Sequence, residues 1–227
     1  RLGFWLAKGR RIPALPADER VRRWRPFMAG ARPAGGEPVG ATDDPAAILF
    51  TGGTTGKPKG IVLSHRNFIA EGMGAAAWCG MGERDAILAV LPIFHGFGLA
   101  VCVNAAFMAG GKSILVPQFS PEVVSKVLRR DRPNVLAGVP TLFDALTRDP
   151  ALASADLSCL TACFSGADTL PRAVKERFEA MVARSGGRVR LLEGYGLTEA
   201  VSGIMATPVS EYREGSVGVP LPDMDAK

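Results

Sequence analysis

The glycine-rich run at residues 50–60 has the residue types best suited to chemistry. It reads Phe-Thr-Gly-Gly-Thr-Thr-Gly-Lys-Pro-Lys-Gly and directly follows an apolar stretch at residues 46–49. Glycine permits positive φ and lets a backbone approach a ligand closely. Threonine hydroxyls and free N–H groups donate to an oxyanion, and lysine neutralises its charge. The run therefore predicts a loop that binds a polyphosphate, and hence a nucleotide.

Two widespread phosphate-binding motifs do not fit this run. A Walker A loop needs Gly, four residues and then Gly-Lys-Ser/Thr. Here Gly56-Lys57 is followed by Pro58 instead of Ser or Thr, and the first glycine of the motif is replaced by Thr51. The dinucleotide fingerprint G-x-G-x-x-G does not occur in the loop either. A simple hairpin between two strands is the alternative, since an apolar triplet follows at residues 61–63. Three threonines and two lysines favour a phosphate site of a third kind.

A second candidate lies at residues 192–199, which read Leu-Glu-Gly-Tyr-Gly-Leu-Thr-Glu after a predicted strand. Open α/β sheets bind ligands at the carboxyl ends of their strands, so the position suits a site. The glycines on either side of Tyr195 would let its ring project from a tight turn and stack on a base. Thr198 can donate to a phosphate, and Glu199 offers the oxygen ligands that Mg²⁺ prefers. Taken alone, the run is equally consistent with a turn before a helix.

The pattern after residue 43 supplies the elements that must hold these sites. Short apolar runs alternate with helix-like segments, which predicts an α/β domain with a mostly parallel sheet. The predicted strands are residues 46–51, 61–64, 86–91, 113–116, 135–137, 160–164 and 189–193. The predicted helices are residues 67–79, 98–109, 120–130, 141–147 and 171–184.

Composition and charge narrow the classes of partner. An apolar fraction of 47% with 22% charged residues is ordinary for a globular domain. The net charge of +5 comes from the leader, because residues 1–32 hold nine Lys/Arg against two acids. Interleaved apolar side chains make residues 1–25 a candidate for peripheral contact with an anionic membrane surface, with a solvated linker as the alternative. No nucleic-acid partner is expected, because the remaining chain shows no basic patch or aromatic platform.

The cysteines predict a cytoplasmic protein. Cys79, Cys102, Cys159 and Cys163 form no C-x-x-C pair and stand among apolar or small residues. This is typical of free thiols in a reducing compartment and does not favour a structural zinc site.

Five motifs, in order, resemble those of the adenylate-forming superfamily of acyl-CoA synthetases, luciferases and nonribosomal adenylation domains. The loop at residues 51–60 resembles its phosphate loop, and residues 194–199 resemble its Tyr-Gly-x-Thr-Glu motif. Residues 91–98, 165–171 and 215–220 are similar to its Leu-Pro-x-x-His, Gly-Ala-x-x-Leu and Gly-Ser-x-Gly-x-Pro segments. The glycine at position 52, where many members have serine, resembles long-chain fatty acid–CoA ligases most, as do residues 191–199 and the end of the basic leader at residues 24–31.

The resemblance implies that residues 43–227 are a central part of the large AMP-binding domain, preceded by a basic leader and linker at residues 1–42, with the small C-terminal domain absent. It implies that a carboxylate attacks the α-phosphate of ATP to give acyl-AMP and pyrophosphate, after which the CoA thiol displaces AMP. The implied substrates are ATP, CoA and a medium- or long-chain fatty acid, with Mg²⁺ as cofactor. Aryl or amino acids as substrates, a carrier protein as acceptor, a fatty acyl-AMP ligase and a non-catalytic nucleotide-binding module remain alternatives.

The resemblance also assigns roles to individual residues. Tyr195 would stack on adenine, and His95 would lie beside the reacting carboxylate. The implied catalytic residues are His95, Thr198, Glu199 and Lys59, with Glu199 also the Mg²⁺ ligand. The implied nucleotide-binding residues are Thr51, Gly52, Gly53, Thr54, Thr55, Gly56, Lys59, Gly166, Ala167, Gly194, Tyr195, Gly196 and Thr198.

Members of the superfamily continue beyond the Gly-Ser-x-Gly-x-Pro motif. They carry an aspartate for the ribose hydroxyls and a small C-terminal domain with a lysine that serves adenylation. The sequence in hand holds neither of these, so we expect this chain alone to bind ATP weakly and not to turn over.

Overall fold

The computed structural model describes residues 24–31, 40–51 and 57–225. The chain divides into two compact units, with the boundary between residues 40 and 41. In the first unit, one short helix is described, α1 (Trp24–Ala29). Residues 1–23 and the glycine loop at residues 52–56 lie outside the described residues. The roles assigned to the leader and to that loop therefore stay predictions.

The second unit is an α/β domain whose elements follow the predicted alternation. Its strands are β1 (Pro45–Thr51), β2 (Lys59–Ser64), β3 (Ala86–Ala89), β4 (Lys112–Leu115), β5 (Val135–Gly138), β6 (Ala162–Ser165), β7 (Leu191–Gly196), β8 (Gly203–Ala206) and β9 (Val219–Pro220). Its α-helices are α2 (His65–Cys79), α3 (Ala105–Met108), α4 (Pro121–Asp131), α5 (Pro140–Thr147), α6 (Pro150–Ala153) and α7 (Arg172–Arg184). A π-helical segment (Phe97–Asn104) leads into α3, and a 3-10 turn (Thr198–Ala200) follows β7.

The strands form an antiparallel hairpin, β1–β2, and a larger sheet in the order β4-β3-β5-β6-β7-β8-β9. The five strands from β4 to β7 are parallel, whereas β8 and β9 add antiparallel. From β3 the chain crosses to β4 on one side of the sheet, and from β5 it crosses to β6 on the other side, so the direction of strand addition reverses between β3 and β5. Open α/β sheets bind ligands outside the carboxyl ends of their parallel strands. The predicted α/β class with a mostly parallel sheet is confirmed.

The inner parallel strands β3, β5 and β6 are buried, but the two faces of the sheet differ in side-chain size. One face packs against α4–α7 with large side chains, and the rings of Phe143 and Phe178 meet edge to face with centroids 5.0 Å apart. The opposite face packs against α2, the π-helical segment and α3. Many of its buried side chains are small, as at Ala89, Cys102, Ala106, Ala137, Ala162 and Ala206. The smaller side chains leave room on this face for a cavity.

Local signals fix the position of α2, which forms one wall of that cavity. The Ser64 side chain accepts from the Asn67 N–H, and the Asn67 side chain accepts from the Ser64 N–H. This reciprocal capping box satisfies two backbone donors that a helix start leaves unpaired. The helix ends where Gly80 takes a left-handed conformation, with φ of 62°.

Near the site, β7 differs from its prediction. The predicted strand ended at Glu193, whereas β7 continues to Gly196 because the unpredicted strand β8 pairs with its last residues. Tyr195 therefore projects from a strand and not from the predicted tight turn, which was wrong.

Two other predicted elements also differ from the structure. The strand predicted to reach residue 91 ends at Ala89, because neither neighbouring strand pairs with it beyond that residue. The helix predicted at residues 98–109 is present, but its first part is π-helical. Nearly every residue there is apolar, so the sequence pattern could not reveal the wider coil. Within the described part of the chain, no helix is both long and apolar enough to cross a membrane.

Candidate active site

A cavity of about 630 Å³ lies where the β1–β2 hairpin, α2 and the carboxyl ends of β6 and β7 meet. It brings together every predicted site residue that the structure describes. These are Thr51, Lys59, His95, Gly166, Ala167, Gly194, Tyr195, Gly196, Thr198 and Glu199. The other predicted residues, Gly52, Gly53, Thr54, Thr55 and Gly56, lie outside the described residues.

Thr51 and Lys59 reach the cavity because of the hairpin register. They are direct cross-strand partners at the end of the β1–β2 ladder, and the glycine-rich loop connects them. Both residues line the cavity. A hydroxyl donor and a cation therefore stand together at the base of the loop, which is the combination that an anionic ligand requires.

The segment after β7 is held by its own backbone. The Leu197 N–H donates to the Ser202 carbonyl at 2.8 Å, and the Ser202 N–H donates to the Ala200 carbonyl at 2.9 Å. The second bond closes a γ-turn around Val201, whose φ is 71° and ψ −57°. Such a conformation costs a β-branched residue roughly 1–3 kcal/mol. The tightly closed segment fixes the position of Thr198–Ala200 at the cavity.

The two glycines beside Tyr195 are not equivalent. A Cβ on Gly196 would lie 1.7 Å from the Ser202 carbonyl oxygen, which no side chain can tolerate. A Cβ on Gly194 would lie no nearer than 3.6 Å to the Met205 carbonyl oxygen, an ordinary contact. Gly196 is therefore required by the close approach of two backbones. Tyr195 is 47% exposed and lines the cavity, so its ring can stack on a flat ligand.

His95 is held by its own loop. The Phe97 N–H donates to His95 Nδ1 at 3.2 Å, so the neutral imidazole carries its proton on Nε2. The loop also packs directly on the segment after β7, because a Cβ on Gly96 would lie 1.9 Å from the Val201 carbonyl oxygen. His95 therefore offers one N–H donor from a fixed backbone.

Gly166 and Ala167 follow β6 directly and bring their backbone to the cavity. Ala167 has a φ of 68°, which is unfavourable for a residue with a Cβ. A Cβ on Gly166 would meet the Phe97 ring at 3.1 Å. The two cavity-lining residues Ala167 and Val201 thus both hold strained backbone, a feature that often accompanies functional sites.

Glu199 is the residue assigned to Mg²⁺. It is exposed at the cavity, and the described residues hold no group of three His, Cys, Asp or Glu side chains able to hold a metal. Mg²⁺ that accompanies a nucleotide uses one or two carboxylates, with waters and phosphate oxygens as the other ligands. A single cavity-lining carboxylate fits a metal of that kind.

The wall formed by α2 was not predicted. Glu71, Ala75 and Trp78 follow the spacing of one helical stripe and line the cavity. Glu71 is only 2% exposed, and its Oε1 accepts the Gly203 N–H at 2.6 Å. Burial raises the pKa of Glu71 to about 7, against the opposing effect of that hydrogen bond. A glutamate on an otherwise small and apolar stripe is the sequence signal that could have revealed this wall.

The cavity also holds a thiol, which is unsuited to nucleophilic chemistry. Burial raises the pKa of Cys79 to about 12, so the thiol stays protonated at neutral pH. Because the thiolate is the nucleophile, Cys79 contributes packing. All four cysteines are free.

Comparisons with known proteins agree with the motifs. Residues 10–227 match the family described as AMP-binding enzyme. The chain is 38% identical over 186 residues to a long-chain-fatty-acid–CoA ligase of Bacillus subtilis (strain 168), covering 81% of this chain and 32% of that relative. It is 31% identical over 185 residues to a feruloyl-CoA synthase of an Amycolatopsis species, covering 81% and 36%.

The fold is also found in solved structures. ATP-bound MatB from Rhodopseudomonas palustris matches with a TM-score of 0.76 and 32% identity over 87% of this chain and 38% of that one. The chain spans about a third of the length of the two curated relatives. Since the family match extends over nearly the whole sequence, the chain belongs to the AMP-binding enzyme family.

Proposed function

We propose that the full-length gene product is an acid–thiol ligase that activates a carboxylic acid with ATP and transfers the acyl group to CoA. One observation carries the proposal: a single cavity gathers a cation, hydroxyl donors, a carboxylate, an exposed aromatic ring and an imidazole. The relatives named as CoA ligase and CoA synthase, and the ATP-bound neighbour, support it.

In the first step, a carboxylate oxygen of the acid forms a bond to the α-phosphorus of ATP. The bond from that phosphorus to the bridging oxygen of the β-phosphate breaks, and pyrophosphate leaves. Both reactants are anions, so the protein must hold them close together and neutralise their charge. In the second step, the CoA sulfur attacks the acyl carbon and AMP leaves.

The hairpin residues take the phosphate end in this proposal. The Lys59 ammonium would neutralise the β- and γ-phosphates, and the Thr51 hydroxyl would donate to them. The glycine-rich loop at residues 52–56 would add backbone N–H donors. Thr198 would donate to the α-phosphate, where charge changes most during the first step.

The remaining residues orient the other parts of the substrates. Tyr195 would stack on adenine, with the backbone of Gly166 and Ala167 beside the base and the acyl group. His95 would donate its Nε2–H to the reacting carboxylate and hold it in line with the phosphorus. Glu199 would hold Mg²⁺, which supplies charge neutralisation at the phosphates when it is bound.

A medium- or long-chain fatty acid is the acid we propose. The Bacillus relative is named for long-chain fatty acids, and the cavity has a largely apolar wall. That wall is built from Ala75, Trp78, Val101, Phe164, Met205 and Leu221. Aromatic acids are the alternative class of substrate, because another relative is named feruloyl-CoA synthase.

Titration of Mg·ATP into the full-length gene product tests the nucleotide site. We expect Glu199→Ala to weaken binding by about 10- to 100-fold, because a charged ligand of the metal is lost. Glu122→Ala, which removes an exposed glutamate of α4 that does not line the cavity, should leave the affinity unchanged. Equal affinities for wild type and Glu199→Ala would contradict the metal role.

A further inference from the structure

The buried carboxyl of Glu71 has no role in the reaction proposed above. Its Oε1 accepts the Gly203 N–H, but its Oε2 has no hydrogen-bond partner among the described residues. Buried polar atoms in folded proteins nearly always have a partner, in the protein, in ordered water or in a ligand. Glu71 lines the cavity, and Oε2 itself is covered by protein atoms, so a small rotation of the carboxyl group would bring Oε2 to a molecule held in the cavity.

The surroundings of Glu71 are apolar. On its own helix, the next residues of the cavity stripe are Ala75 and Trp78. Across the cavity wall, Gly203 packs against Glu71 and Leu221. A Cβ added to Gly203 would lie 3.2 Å from Glu71 Oε1 and 3.1 Å from a Leu221 methyl carbon. A plain hydrocarbon tail placed here would leave Oε2 without a partner, which is unfavourable for a buried acceptor.

A hydroxyl group suits Glu71 better than other polar groups. The pKa of about 7 means that both the carboxylate and the carboxylic acid are populated near neutral pH. A hydroxyl can donate to the carboxylate and can accept from the neutral acid, whereas an ammonium can only donate.

We propose that Glu71 is a specificity-determining residue that hydrogen-bonds through Oε2 to a hydroxyl group on the tail of the acid. The enzyme then prefers a hydroxy acid to the unsubstituted acid of the same chain length. This inference rests on the proposed function, because it assigns the α2 wall to the acid.

The test is acid-dependent ATP–pyrophosphate exchange by the full-length gene product. The acids form sets of equal length that are unsubstituted, hydroxylated at successive positions, or carry a ketone at the same positions. At pH 8, the wild type should favour one hydroxy acid over its unsubstituted partner by about 10- to 100-fold in kcat/KM. Glu71→Leu should abolish or reverse this preference.

A second variant guards against misfolding of Glu71→Leu. Glu71→Gln keeps an oxygen acceptor for the Gly203 N–H but presents an amide donor in place of Oε2. It should therefore raise kcat/KM for the keto acid by about 10-fold or more relative to wild type. A merely structural role for Glu71 would not change the ranking of hydroxy and keto acids.

Three results would overturn the proposal. The first is that the wild type catalyses exchange but prefers no hydroxy acid to its unsubstituted partner, which would mean that water satisfies Oε2. Another is a hydroxy preference that both variants retain unchanged. The third is no exchange with any acid despite tight Mg·ATP binding, which would remove the proposed acid-activating function together with this inference.

Discussion

Leu191 and Leu192 are neighbours on β7, yet their side chains enter regions that are built differently. Leu191 packs among large side chains on the face covered by α4–α7. Leu192 packs on the opposite face, where many neighbours are alanine and the cavity lies close by. The same strands thus support one densely filled face and one face with space for a ligand.

The two faces also differ in how they treat buried polar groups. On the filled face, Lys175 bonds to the Leu191 carbonyl at 2.9 Å and pairs with Glu179, and Ser125 bonds to Asp149. On the cavity face, the buried Oε2 of Glu71 has no hydrogen-bond partner among the described residues. The filled face thus pairs these buried polar groups within the protein, whereas the cavity-lining Glu71 keeps one buried oxygen unpaired.

Replacing each leucine by alanine tests the difference in packing. We expect Leu191→Ala to lower the free energy of unfolding by about 4 kcal/mol, because rigid neighbours leave a void. Leu192→Ala should cost about 2.5 kcal/mol, since its small neighbours can shift toward existing space. Urea denaturation at constant m-value measures both. Equal losses would show that the two faces pack equally well.

The pH dependence of stability tests the buried carboxyl on the cavity face. The pKa of Glu71 is raised from 4.5 to about 7, so the folded protein holds a proton that the unfolded chain releases. Stability should therefore fall as the pH rises from about 4.5 to 7, by up to about 3 kcal/mol. Glu71→Gln should remove this part of the slope in urea denaturation.

The other titratable groups that line the cavity are the same in wild type and in Glu71→Gln, so their contribution to the pH dependence cancels in the comparison. They are Lys59, Cys79, His95, Tyr195 and Glu199. Glu122→Gln, on the opposite layer, should retain the full slope. A wild-type slope in Glu71→Gln would mean that Glu71 titrates normally.

The glycines around Tyr195 test how tightly the cavity face is built where backbones meet. Gly196→Ala should lower stability by about 2 kcal/mol or more, because its Cβ would collide with the Ser202 carbonyl oxygen. Gly194→Ala should stay within about 0.5 kcal/mol of wild type. Thermal unfolding of both variants decides the matter, and similar losses would remove the special requirement at Gly196.

The sequence alone predicted the site residues whose side-chain chemistry suits the motif in which they stand. The glycine-rich run implied Thr51 and Lys59, and the hairpin register indeed places them side by side at the cavity. Strand β8 (Gly203–Ala206) was not predicted, because it has only four residues and they show no alternation of polar and apolar types.

Glu71 escaped prediction for another reason. A glutamate in a helix is normally exposed, and its burial here depends on Gly203, which lies 132 positions further along the chain. A tertiary contact of this range leaves little trace in local periodicity. The strained backbone at Val201 was hidden for the same reason, since it depends on the closure of the segment after β7.

Acid-dependent ATP–pyrophosphate exchange by the full-length gene product tests the central claim, that the cavity face activates a carboxylic acid. The comparison is among wild type, Lys59→Ala at the cavity, and Lys126→Ala on an exposed position of α4. We predict equal exchange for wild type and Lys126→Ala, and a loss of about 100-fold or more for Lys59→Ala. Wild-type exchange by Lys59→Ala, or no acid-dependent exchange by the wild type, would contradict the account.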